Sequence, residues 1–363
     1  MKRAIIAVVL VSVAAPGLFA QVREPFKLGA FEEGGRVFLG LVVRDSLVAN
    51  IAQANAALEG AKPAIPADMR ELIVRYEELK PRLYTIAAAA TAAAASGGRP
   101  AYLKDVKSVK ILPPVMPKTV LNAASNYAEH DAEMQRRANP NQPPAPQAPV
   151  PEPIPGAWER KPGDVRQNPY LFPKLSSTII ADGEAIRIPV GRERVDWECE
   201  LAVVIGKPAS RVPVERAAEY IFGYTLQNDV SDRGGRADRR YGSDWFLQKS
   251  HDTFAPLGPF IVPKEFVTDP QKLGQKFTLS GNVMQDSSTD RMTHNVYEML
   301  SYASNIISLA PADIISMGSP AGVGTARATP IFMKHGDVAV CTIERIGTFT
   351  NPVVGSAAVT SGR

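Results

Sequence analysis

From residue 170 to residue 354 the chain is a succession of short apolar runs, each closed by glycine, proline or a charged turn. Ile186-Arg-Ile-Pro-Val, Glu200-Leu-Ala-Val-Val-Ile and Phe222-Gly-Tyr-Thr-Leu read as strands. So do Phe277-Thr-Leu before a Ser-Gly-Asn turn, Val338-Ala-Val-Cys-Thr-Ile and Gly347 to Val354. Only Val214 to Tyr220 and Val296 to Leu309 carry helical spacing in this half. Strands that follow one another without intervening helices cannot build a doubly wound parallel sheet. The fold class is therefore α+β and β-dominated. A dinucleotide-binding fold is excluded, and Gly322-Val323-Gly324 does not complete its fingerprint.

The first third reads differently. Residues 24–60 are short strands followed by an alanine-rich helix from Ile51 to Leu58. In Met69 to Ile86, Leu72, Ile73, Tyr76, Leu79 and Leu83 recur at the spacing of a buried helical face. The alanine run Ala87 to Ala95 is expected to end that helix and pass into a connector at Ser96-Gly97-Gly98. Residues 21–115 are thus expected to form a small N-terminal α+β domain. Residues 116–357 would form the main domain, interrupted by an insertion over 139–169. Eight of the 31 prolines fall between Pro140 and Pro155, a polyproline-like stretch that cannot build a core.

Lys2 and Arg3, the uncharged run Ala4 to Ala15, and Leu18-Phe19-Ala20 have the layout of a secretory signal over residues 1–20. The expected location is the periplasm or outside, without stable membrane insertion after cleavage, because the apolar run is too short to span. The net charge is only +4, of which Lys2 and Arg3 supply two, so nucleic acid is not an expected partner. Two cysteines exclude a disulfide scaffold and a four-cysteine zinc site. In an oxidising compartment Cys199 and Cys341 would be free to pair, but two buried thiols is the expectation taken here.

Four segments carry chemistry. In Asp196-Trp197-Glu198-Cys199-Glu200 the strand alternation puts Glu198 and Glu200 on one face, and Trp197, Cys199 and Leu201 on the core face. Two carboxylates side by side repel unless a cation lies between them, and Asp229, closing the next strand, adds a third oxygen donor. In Asn126 to Glu133, His130 and Glu133 are spaced i,i+3 and share a helical face, a pairing suited to a general base. Lys249 sits among aromatic residues and prolines, placed to neutralise anionic charge; nearby His251 reads as structural. Gly318-Ser319-Pro320-Ala321-Gly322-Val323-Gly324 fixes a tight loop whose amides and Ser319 hydroxyl would hold a substrate carboxylate.

Taken in this order, the segments resemble the fumarylacetoacetate hydrolase family from about residue 118 to 354, with a weaker likeness around Gly35 to Ala54. The family's Asn-Tyr-x-x-His-x-x-Glu stands at Asn126 to Glu133, and its Glu-x-Glu at Glu198 and Glu200. Its Gly-Tyr…Asn-Asp stands at Gly223 to Asp229. Its Lys-Ser-x-Asp-Thr-x-x-Pro-x-Gly-Pro is complete from Lys249 to Pro259, and Ser319 replaces a threonine in the glycine loop. The resemblance implies a mixed β-roll or β-sandwich catalytic domain, usually homodimeric. It implies Mg2+ or Mn2+, with Ca2+ also admitted, on Glu198, Glu200 and Asp229. It implies His130, Glu133 and Lys249 as catalytic residues, and Arg233, Arg236 and Ser319 against a small oxo-acid substrate. The activity implied is hydrolysis of a C–C bond in a β-diketo acid such as an acylpyruvate, in aromatic catabolism. Isomerisation of a 2-hydroxy-diene-dioate, decarboxylation of an oxaloacetate-like 2-oxo acid, and ligand binding without catalysis in the periplasm are the alternatives. The chain departs from the family pattern at Arg236, where a glutamine is usual; an added cation there favours a more acidic substrate. It also departs in the proline tract after Glu133 and in the export signal.

Overall fold

The computed structural model describes residues 24–138, 150–238, 240 and 242–355. Residues 1–20, expected from the sequence to be a signal, and residues 139–149 of the proline tract lie outside the described residues.

The central strands Cys199–Ile205 and Ile221–Asn228 pair antiparallel, with Cys199 opposite Asn228. Every residue of both strands is buried, because both faces are covered. Alternation divides the faces. Leu201, Val203 and Ile205 pack into one core with Trp197, Phe277 and Phe349. Ala202 and Val204 pack into another with Leu72, Tyr76 and Leu79. Ile314–Ser316 pairs antiparallel with Cys199–Ile205 and parallel with Val120–Ala123, whose other neighbour is Leu171–Lys174. On the far side, Ile221–Asn228 pairs with Ala255–Pro263. That strand meets Lys27–Glu33 at Leu28 opposite Ile261, so the N-terminal strands prolong the same sheet. A five-stranded sheet built on Gly274–Leu279, Val338–Ile343 and Gly347–Val354 covers the Trp197 face. The result is the β-dominated α+β architecture expected.

The N-terminal helices follow their sequence signals. Ile51–Ala57 is capped by Asn50, which accepts from the Gln53 amide at 3.1 Å. The expected helix over 69–86 is two: Met69–Val74, capped by Asp68, and Tyr76–Ala95, with a break at Arg75. Its apolar face is buried as the spacing requires. As expected, the alanine run ends the helix at Ala95 and passes into a connector at Ser96-Gly97-Gly98, and Ala87 and Ala90 are buried. Alanine gives up no side-chain entropy in a helix and allows close packing. The stop comes at Gly97, with φ of 74°.

The described part of the insertion is largely exposed but anchored at Trp158 and Arg166. Trp158 is buried edge-on to His294 and Tyr302. Arg166 donates to Asp164, to Glu298 and to the Thr293 carbonyl. These contacts fasten residues 150–169 to the helix Val296–Ile306.

The expectation of two free thiols is overturned. Cys199 and Cys341 form a disulfide, with Cα atoms 5.5 Å apart. They project towards each other from strands of the two sheets that sandwich the Trp197 core. A separation of 142 residues hides that facing geometry from sequence spacing.

A candidate metal and acid–base site

Glu198 precedes the strand Cys199–Ile205, and Glu200 is its second residue; both stand on the face of Ala202 and Val204. Asp229 follows the partner strand and is aligned by its own amide, which donates to the Glu198 carbonyl at 2.8 Å. The Asn228 side chain accepts from the Glu198 amide at 2.9 Å. One carboxylate oxygen from each of Glu198, Glu200 and Asp229 lies within 4.8 Å of the others, and all three residues are buried. Sequence parity is thus realised as a cluster.

Cations surround it. Lys249, on the short helix Trp245–Lys249, donates to Glu198 Oε2 at 2.7 Å and to Asp229 Oδ2 at 2.6 Å. Lys174 donates to Asp229 Oδ1 and, at 3.0 Å, to the Val230 carbonyl. Arg233 bonds Glu198 Oε1 and reaches Asp196 Oδ2 at 3.1 Å. Burial alone would raise the Glu198 carboxyl; Lys249, Arg233 and His130 outweigh it and hold the group below its ordinary value. Burial pushes Glu200 well up, and the charges of Asp229 and Glu198 push it further. Burial lowers Lys174 to about 8 despite the pull of Asp229. For Lys249, burial is outweighed by Asp229 and Glu198, and its value rises.

Glu200 decides whether a metal fits. Its Oε2 accepts from the Ser316 hydroxyl at 2.5 Å and from the Gly318 amide at 3.0 Å. Its Oε1 is buried with no hydrogen-bond partner among the described residues. An orphaned carboxylate oxygen facing two other carboxylates is what a hard divalent cation would satisfy. The three oxygen donors therefore fit a hard divalent cation.

The helix Ala128–Ala138 carries His130 and Glu133. Asn126 anchors its start by donating to the Met317 and His294 carbonyls at 2.8 and 3.0 Å. His130 Nδ1 lies 2.8 Å from Glu133 Oε1, and Nε2 lies 3.9 Å from Glu198 Oε1. Glu133 is itself held by the Gly322 amide, at 3.1 and 2.9 Å to its two oxygens. Gly322 has φ of 104°, and a Cβ there would stand 2.2 Å from the Met284 carbonyl oxygen. Only glycine serves at that position. The imidazole, its carboxylate and the glycine loop thus form one chain of contacts ending at the triad.

Other expected residues fall elsewhere. The Ser319 hydroxyl turns inward and accepts from Gln285 Nε2 at 2.7 Å, while Gln285 Oε1 accepts from the Cys199 amide. It ties the loop to the ligand strand. Arg236 is set against Asp238 at 3.4 Å and Asp244 at 3.7 Å. His251 lies 3.5 Å from Asp232 and edge-on to Phe254, a structural position. Two contributors were missed. Lys174 shares parity with buried Phe172 in Leu171–Lys174, the only local sign that its ammonium is buried. Asp196 accepts from the Gly324 and Thr325 amides at 2.7 and 3.0 Å and braces Arg233.

Residues 119–354 match the sequence model of the fumarylacetoacetate (FAA) hydrolase C-terminal family. The chain is 32% identical over 317 residues to the mitochondrial oxaloacetate tautomerase of Xenopus laevis, covering 87% of this chain and 86% of that protein. It superposes on the fumarylacetoacetate hydrolase of Exiguobacterium antarcticum with a TM-score of 0.67 at 26% identity, covering 91% of this chain and 99% of that one. It also superposes on the maleylpyruvate hydrolase of Sphingobium sp. SYK-6, in complex with manganese(II) and pyruvate, with a TM-score of 0.61 at 27% identity, covering 91% and 99%. A match over most of the chain, carried by residues that the fold brings together around one triad, places this protein in the fumarylacetoacetate hydrolase family.

Proposed function

We propose that this protein is a divalent-metal-dependent enzyme that moves a proton between the enol oxygen and C3 of a 2-oxo acid, interconverting the enol and keto forms. The observation that carries this reading is the His130 imidazole, oriented by Glu133 and presented at 3.9 Å to the carboxylate triad. With Nδ1–H donating to Glu133, Nε2 holds the free lone pair. His130 Nε2 takes the enol O–H proton and returns it to C3, so the atoms balance without a co-reactant. The Glu133 carboxylate stabilises the imidazolium between the two transfers, and the Lys249 ammonium offsets the negative charge on the substrate oxygen. A cation held by Glu198, Glu200 and Asp229 would supply Lewis-acid charge for the oxygens of the 2-oxo acid. The likeness to an oxaloacetate tautomerase supports this choice among the family's reactions.

Hydrolysis of a C–C bond in an acylpyruvate is the second reading, supported by the likeness to a maleylpyruvate hydrolase. There Nε2 would take its proton from water instead. Export to an oxidising compartment is supported by the disulfide, which persists in such places. A homodimer remains part of the proposal on the family likeness.

The test follows the decay of enol-oxaloacetate absorbance with and without Mn2+, beside pyruvate release from acylpyruvates and maleylpyruvate. Metal-dependent acceleration of enol decay without pyruvate release supports the first reading. Pyruvate release from an acylpyruvate puts hydrolysis in its place. Binding without turnover of either substrate contradicts both.

A further inference from the structure

Between Glu198 and Glu200, the peptide groups of Cys199 face the side on which the neighbouring strand has ended. The strand Ile314–Ser316 is followed by one more ladder bond, from the Met317 amide to the Leu201 carbonyl at 2.8 Å, and the chain then leaves as the glycine loop. Two glutamine side chains of the second sheet take the place of a strand partner. Gln285, on the strand Asn282–Ser288, accepts from the Cys199 amide at 3.2 Å through Oε1. Gln275, on the strand Gly274–Leu279, donates from Nε2 to the Cys199 carbonyl. Both side chains are buried.

Neither amide stops at Cys199. Gln285 Nε2 donates to the Ser319 hydroxyl at 2.7 Å and to the Pro320 carbonyl at 2.8 Å. Two residues further on, the Gly322 amide holds Glu133. Gln275 Oε1 accepts from the buried Tyr127 hydroxyl at 2.9 Å. Tyr127 precedes the helix Ala128–Ala138, and its carbonyl accepts from the Asp131 amide at 3.0 Å. One relay therefore ends on the loop that holds the carboxylate partner of His130, and the other on the first turn of the helix that carries His130. Each relay needs a group that accepts on one side and donates on the other. A carboxylate cannot donate and an apolar side chain does neither, whereas a carboxamide does both without burying a charge.

We propose that Gln275 and Gln285 are positioning residues, which fix the His130–Glu133 pair relative to the carboxylate triad so that the base meets a metal-held substrate in one geometry. The proposal rests on the reading of His130 as the base. Both relays start between two ligands of the triad and end on the acid–base pair, so a shift in either changes the separation that proton transfer depends on. A misplacement of about 1 Å is enough to slow such a step severely. The ligand oxygens keep their own strands, so metal binding is largely spared.

The test compares the full chain with Tyr127→Phe, Gln275→Met and Gln285→Met, their folds checked by circular dichroism. Two quantities are measured: Mn2+ affinity by calorimetry, and turnover of whichever of enol-oxaloacetate and the acylpyruvates the wild type accepts. Tyr127→Phe removes one hydroxyl and keeps the ring, so it decides the matter if a glutamine variant does not fold. Tyr76→Phe is the matched control, because that buried hydroxyl donates to Glu265 at 2.7 Å, outside both relays. Each folded relay variant is expected to lose about tenfold or more in kcat, with KM and Mn2+ affinity changed by less than about threefold. Tyr76→Phe is expected to turn over as wild type does. Unchanged kcat in any folded relay variant, an equal loss in Tyr76→Phe, or a matching loss of Mn2+ affinity would overturn the proposal. If the wild type turns over neither substrate, the reading of His130 fails, and hydrogen exchange of residues 128–138 with and without Mn2+ tests the relays alone. Protection that Mn2+ adds in wild type and that is lost in Tyr127→Phe supports them. No added protection in wild type, or the same in both proteins, overturns them.

Discussion

Cys199 stands between two glutamates of the triad, and its sulfur is bonded through the core to Cys341 on the strand Val338–Ile343 of the second sheet. The disulfide and the carboxylates leave the same strand from opposite faces. The covalent link therefore holds the ligand strand against the sheet behind it.

Removing the link in Cys199→Ala/Cys341→Ala is expected to destabilise the fold by about 2–5 kcal/mol, as for native disulfides that close long loops. Denaturant titration of the double variant against wild type, with and without reductant, checks this. A wild type whose midpoint is insensitive to full reduction would contradict it.

Lys174 neutralises one oxygen of Asp229 in a fully buried place. Lys174→Met leaves Asp229 short of a cation and is expected to cost about 3–5 kcal/mol, the scale for breaking a buried pair. Urea unfolding at neutral pH measures it, and a change under about 1 kcal/mol would speak against the pair as drawn.

Gly322→Ala is expected to act through the base. The added Cβ meets the Met284 carbonyl at 2.2 Å, and the amide that holds Glu133 must move. Turnover is expected to fall towards that of Glu133→Gln, with a stability loss of about 1–3 kcal/mol from the strained backbone. Retained turnover in Gly322→Ala would break the proposed link between loop and base.

The insertion is fastened by ionic contacts that acid should release. Burial would raise Glu298, but His294 at 3.7 Å and hydrogen bonds from Arg166 and the Asn295 amide hold it at about 2. A carboxyl lowered on folding contributes stability above its ordinary value, and that stability fades as pH falls towards the folded value. Wild-type stability is therefore expected to decline from about pH 4.5 towards pH 2. Glu298→Gln is expected to show a flatter profile in that window when denaturant midpoints are measured across it. Superimposable profiles would contradict the assignment.

What the sequence revealed depended on locality. Leu72, Tyr76, Leu79 and Leu83 announced a buried helical face through spacing alone. Glu198 and Glu200 announced one face of a strand, and His130 with Glu133 one face of a helix. Asp229 was reachable because its strand follows the first and pairs with it. Lys174 and Asp196 were not seen, because their roles come from partners on other strands and on the glycine loop. The same holds for Cys199 with Cys341, and for the turning of Ser319 towards Gln285. The joining of the N-terminal strands to the central sheet rests on the pairing of Leu28 with Ile261, which no periodicity encodes.

The central claim is that Glu198, Glu200 and Asp229 hold a divalent cation. Calorimetric titration of Mn2+ into wild type and Glu200→Gln tests it most directly, with circular dichroism to show that both are folded. One site per chain is expected in wild type, and an affinity lower by about 100-fold or more in the variant. Equal affinity in the two proteins, or no Mn2+ binding to the folded wild type, would contradict it.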